Sequence, residues 1–245
     1  MTLHEFGHFF ASIIVQANGI SIHHNYVLNI DEGLPLKSII FIKAAGPLVS
    51  LILGIAFHLI CSKMRHRNLT FLFSLYLSVF GYIGFFGYLM LSPFFTDGDT
   101  GYICLALKFP AWLTISIAIS GALTLYLLIR NLMKYFVEMG TKEIIDKKET
   151  RITFVHSLLT IPVILGIIIT TILNLPTFAT VSLIAPICSP FSFFWDYGNA
   201  LNKNYNSKIT NDHFNKLNNF NAGLIILLIL TVIYNRLLVR GIYYN

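Results

Sequence analysis

Two histidines and a glutamate at the amino end carry the densest chemistry in the chain. His4-Glu5-Phe6-Gly7-His8 has the form H-E-x-x-H. Residues four apart share one face of a helix, so His4 and His8 can turn their imidazoles toward one metal ion. Glu5 then stands beside a metal-bound water, where a general base of a zinc peptidase belongs. Phe9 through Val15 follow, apolar except for Ser12, which puts this chemistry inside a membrane.

Two imidazoles are too few for a catalytic zinc, which takes three protein ligands and leaves the fourth position to water. The third is expected to be a carboxylate or histidine with no other reason to lie beside a membrane span. Asp97-Gly98-Asp99 closes a long apolar segment. Asp97 is taken as the third ligand, with Gly98 giving the backbone freedom to turn it inward. Asp99 is the second choice, or else a partner that orients a histidine. Other histidines are weaker candidates. His23 and His24 are adjacent, and neighbours on a strand point to opposite faces. His58 and His156 are expected to be hydrogen-bonded or interfacial.

These residues must be positioned by helices in lipid. The 245-residue chain is 56% hydrophobic and 11% charged, more apolar surface than a soluble domain of this size can hide. Its net charge of +6 fits basic loops beside membrane spans, and no nucleic-acid partner is expected. Cys61, Cys104 and Cys188 lie in or next to apolar runs without C-x-x-C spacing, so neither a disulfide framework nor a zinc knuckle is indicated.

The expected fold is all-α and polytopic, with six or seven transmembrane helices and a short hairpin-like segment after the first. The motif helix covers 3–18, with Gly19 as its C-cap. Alternation in Ile20-Ser21-Ile22-His23 reads as one arm of a hairpin. Further spans are expected at 39–61, 69–92, 112–136, 154–174 and 221–238, with a seventh possible at 178–195, which carries Pro186 and Pro190. Gly81, Gly84 and Gly87 suit close helix approach. Residues 138–151 read as a solvated loop or surface helix, and 198–220 as an Asn-rich polar loop. Trp112 and Trp195 suit interface belts. Only three residues precede His4, so a metal site at depth requires further residues upstream or a locally thinned, protein-lined site.

In three places, in order, the chain resembles the site-2 protease (M50) family of intramembrane zinc metalloproteases. His4-Glu5-Phe6-Gly7-His8 is similar to the family's zinc-binding helix. Ala45-Gly46-Pro47-Leu48-Val49-Ser50 resembles its G-P-x-x-N segment. Pro93 through Asp97-Gly98 resembles its Pro-rich L-D-G segment. The resemblance implies zinc ligands His4, His8 and Asp97, a catalytic base Glu5, and a substrate-binding role for Gly46, Pro47 and Ser50. It covers about residues 1–107 as a metalloprotease-like core, with 108–245 as additional helices and loops. The chain departs from the pattern at Ser50 (often Asn), Thr96 (usually Leu) and Asp99 (usually Gly). Where an Asn commonly precedes the Pro-rich segment, Tyr88 and Leu89 stand.

The first reading is therefore a Zn²⁺-dependent endopeptidase that cuts a membrane-anchored protein substrate within or next to its span. The expected location is a multi-pass position in the lipid bilayer, that of a bacterial plasma membrane. The alternatives are an inactive relative that binds membrane helices as an adaptor, and a transporter or channel with a metal site. Basic residues cluster at 62–68 and 137–153, which the positive-inside rule places in the cytoplasm. The family resemblance instead implies zinc nearer the cytosolic face.

Overall fold

Where the apolar runs are longest, the chain forms its longest helices. A computed structural model describes residues 2–175, 192 and 222–244. Its elements are α1 (Thr2–Ile14), β1 (Asn18–Ile22), β2 (Val27–Ile30), α2 (Leu36–Lys63), α3 (Leu69–Leu91), α4 (Asp99–Ala106), α5 (Ala111–Val137), α6 (Lys142–Asp146), α7 (Lys148–Val155), α8 (Ile161–Leu173), α9 (Ala222–Leu238) and β3 (Ile242–Tyr244). A π-helical turn, His156–Thr160, joins α7 to α8 without a break.

Among the described residues, four helical segments are long and apolar enough to cross a membrane: Leu36–Lys63, Leu69–Leu91, Ala111–Val137 and Lys148–Leu173. The shorter α9 is also apolar, with 17 residues. At 13 residues, α1 is about 20 Å long and falls short of a hydrocarbon core. The stretches 178–195 and 198–220, with Cys188 and Trp195, lie outside the described residues, Ser192 excepted. The faces of α5, α8 and α9 expose Ile119, Leu123, Ile164, Ile168, Leu228 and Leu230, as helices bordered by acyl chains do.

α2 and α3 pack most closely, and glycine makes this possible. A β-carbon on Gly81 would lie 2.4 Å from the Gly54 backbone nitrogen, and one on Gly84 would lie 2.9 Å from Ser50 Oγ. Gly87 meets only Ile83, at 3.8 Å, so it takes no part in the approach. Asn68 caps α3 by accepting a hydrogen bond from the Phe71 amide at 3.0 Å. At that end Arg67 bonds Glu138 at 3.1 Å and lies over the Phe71 ring, which draws the α2–α3 loop to the end of α5. The largest apolar cluster lies here, around Phe71, Leu75, Leu132, Met133 and Phe136. The expected solvated segment 138–151 is only partly so, since Ile145 and Arg151 are buried and Arg151 donates to the Ile145 carbonyl.

The hairpin after α1 is present, with Ser21 opposite Leu28 and Ile22 opposite Val27. The carboxyl end adds a strand the sequence did not signal. β3 pairs antiparallel with β1, giving the order β2-β1-β3. The turn out of α1 also differs from expectation. Gln16, not Gly19, is the left-handed residue that ends the helix (φ 56°). The Gln16 amide bonds the Ile13 carbonyl and the Ala17 amide bonds the Ser12 carbonyl, which closes a Schellman-type end. Gly19 (φ 61°) sits inside β1.

Candidate metal centre

The spacing of His4 and His8 sets both rings on the buried face of α1, together with Glu5, Gly7, Ala11 and Ser12. That face lies on the first half of α2. A β-carbon on Gly7 would come within 2.6 Å of the Ala45 carbonyl oxygen, so only glycine permits this crossing. Across the interface, α2 fixes both imidazoles. His8 Nδ1 lies 2.7 Å from the Ile42 carbonyl oxygen, an acceptor only, so His8 carries its proton on Nδ1. His4 Nδ1 lies 3.1 Å from Ser50 Oγ. The Ser50 hydroxyl donates to the Gly46 carbonyl at 3.3 Å, which leaves its oxygen to accept from His4 Nδ1.

Both Nε2 atoms therefore turn inward with free lone pairs. They stand 3.1 Å apart. The third atom is Asp99 Oδ2, 3.1 Å from His4 Nε2 and 3.2 Å from His8 Nε2. Three electron-rich atoms in mutual contact repel unless a cation lies among them. A proton would bridge one pair; a divalent ion serves all three. Tetrahedral donors about 2.0–2.1 Å from zinc lie about 3.3 Å from one another, close to the three separations seen here. Space is kept as well. A β-carbon on Gly46 would fall 2.2 Å from His8 Nε2 and 2.7 Å from His4 Nε2. His4, His8 and Asp99 form the one group of three potential ligands among the described residues.

The carboxylate that meets the histidines is thus Asp99 and not Asp97, the residue the sequence reading put there. The reason is where α4 begins. Gly98 is its N-cap in an ordinary extended conformation (φ −76°, ψ 158°), so glycine's wider freedom is not used. Thr100 donates from Oγ1 to the Tyr88 carbonyl at 2.6 Å, which ties the first turn of α4 to the end of α3. Gly101 lets that turn close on the Phe95 carbonyl. This swings Asp99 beneath α1 and leaves Asp97 exposed on the rim.

A cavity of about 580 Å³ opens beside the cluster, lined by Glu5, His8, Tyr88, Asp97 and Asp99, by His23 and Asn25 through Asn29, and by Lys43 and Tyr243. Glu5 is buried, at 5% exposure, yet faces this space. Gly46 and Ser50 lie against the histidines, and Pro47 is buried inside α2. His23 and His24 are in the hairpin turn and not on a strand. His24 Nε2 bonds the Asn174 carbonyl, and His23 stacks on Tyr26. Neither joins the cluster. His58 bonds the Tyr82 hydroxyl and His156 the Thr160 hydroxyl. Cys61 and Cys104 are free and buried.

No protein-family model, curated protein or solved structure matches the chain. What the chain itself carries is a polytopic membrane protein with a buried His/His/Asp cluster, a donor set suited to a metal-dependent enzyme.

Proposed function

We propose that this protein is a zinc-dependent intramembrane endopeptidase of the site-2 protease kind, with His4, His8 and Asp99 as metal ligands and Glu5 as general base. The observation that carries the reading is the convergence of His4 Nε2, His8 Nε2 and Asp99 Oδ2 beside a buried glutamate, with four membrane-length helices among the described residues.

Two imidazoles and one carboxylate suit zinc, which when bound supplies a Lewis acid for the scissile carbonyl and lowers the pKa of water toward 7. The chain's own residues do the rest. Ser50 and Ile42 hold the imidazoles in the tautomer that leaves Nε2 free. Glu5 takes a proton from the attacking water and delivers it to the leaving amine nitrogen. One peptide bond breaks, water adds across it, and a carboxylate and an amine result. The cavity admits the water. Val27, Leu28 and Asn29 of β2 line it, and β2 is an edge of the sheet. An unwound substrate span, with its backbone groups freed, could pair with that edge.

The test is co-expression of wild type or Glu5→Gln with a pool of single-span membrane proteins, with mass spectrometry of new chain ends. New ends within or next to spans, seen with wild type and lost in Glu5→Gln with its metal retained, support the reading. Equal end patterns overturn it, and a cellular role preserved in that variant favours a non-catalytic adaptor.

A further inference from the structure

Resting on the hydrolase reading, we infer that Tyr88 is a further catalytic residue, the phenol that donates a hydrogen bond to the oxyanion formed when water adds to the scissile carbonyl. Its ring stacks on His4, with centroids 5.0 Å apart and planes 19° from parallel. It lines the same cavity as Glu5, His8 and Asp99. Its backbone is fixed to the ligand-bearing helix by the Thr100 hydroxyl, one residue beyond Asp99. Tyr88, on the long α3, and the carboxylate, on the first turn of α4, are therefore tied to each other.

Adding hydroxide to a peptide carbonyl moves a full negative charge onto oxygen. A neutral donor aimed there is worth most in a water-poor, low-dielectric site. Of the other donors on the cavity wall, Lys43 lies over Tyr102, 5.7 Å from its ring centroid, and Asn29 donates to Asp31 at 2.6 Å. Tyr88 is the cavity-lining hydroxyl residue in ring contact with a candidate ligand. No proton leaves Tyr88 in this role; Glu5 carries the proton traffic.

Tyr88→Phe separates the hydroxyl from the ring, because phenylalanine keeps the stacking on His4. Three quantities are compared with wild type: metal content, binding of N-phosphoryl-leucinamide (a tetrahedral anionic probe), and cleavage of a mapped substrate. N-formyl-leucinamide serves as the planar control ligand. The expected result is unchanged metal content and unchanged N-formyl-leucinamide binding. Affinity for the phosphoramidate is expected to fall at least tenfold, and kcat by about 10²–10³ with KM held, as for loss of one oxyanion donor. Wild-type phosphoramidate affinity and kcat in Tyr88→Phe, with losses only in Tyr88→Leu, would make the residue a packing element and overturn the inference. If Glu5→Gln is inactive while Tyr88→Phe is not impaired, Tyr88 alone is wrong. If Glu5→Gln cleaves normally, the hydrolase reading and this inference fall together.

Discussion

Gly46 faces His8 so closely that a β-carbon at residue 46 would sit 2.2 Å from the His8 Nε2 atom. No β-carbon fits at that distance, so glycine is what lets α2 lie against both imidazoles. Gly46→Ala is expected to weaken metal binding at least tenfold, because the new methyl displaces a ring. Competition with a chromogenic chelator measures it, and unchanged affinity would contradict the role given to Gly46.

Ser50→Ala removes the acceptor that holds the proton on His4 Nδ1. Partners of this kind typically cost 10–100-fold in metal affinity when removed. The expected outcome is a loss in that range with an intact fold, while Ser50→Thr, which keeps the hydroxyl, retains more. The same chelator titration reads both, beside thermal melting of each variant.

Gly81→Ala and Gly87→Ala should differ sharply. The first places a β-carbon 2.4 Å from the Gly54 backbone nitrogen, and the second has its nearest neighbour at 3.8 Å. Overpacking against backbone costs about 1–3 kcal/mol. Gly81→Ala is expected to lower the melting temperature in detergent and Gly87→Ala to leave it near wild type.

What the sequence made legible follows from how local each constraint is. His4, Glu5 and His8 are set by helical spacing, which four residues determine. Ser50 and Gly46 could be picked out, but their contact with the two rings depends on how α1 crosses α2. Asp99 was harder still. Asp97 and Asp99 have the same chemistry two residues apart, and which turns inward depends on the Thr100 hydroxyl reaching Tyr88 and on Gly101 closing on Phe95. Periodicity carries no such information. The long spans were visible because 20 or more apolar residues leave few options, whereas β3, three residues long, has no pattern to read.

The Arg67–Glu138 pair places the α2–α3 loop and the end of α5 on one side, with the metal cluster toward the other end of α3. On a cysteine-free background, single cysteines at Arg65 and Lys147 are expected to label from one face of the membrane and a cysteine at Asp97 from the other. The positive-inside rule makes the first face cytoplasmic. Labelling of Asp97→Cys from the same face as Arg65→Cys would contradict this arrangement.

The most direct measurement is the metal content of chelator-free purified protein, comparing wild type with His8→Ala, Asp97→Ala and Asp99→Ala. The account predicts about one zinc per chain in wild type and in Asp97→Ala, and loss of most of it in His8→Ala and Asp99→Ala. Full zinc in Asp99→Ala, or a wild-type chain that binds none, would contradict it.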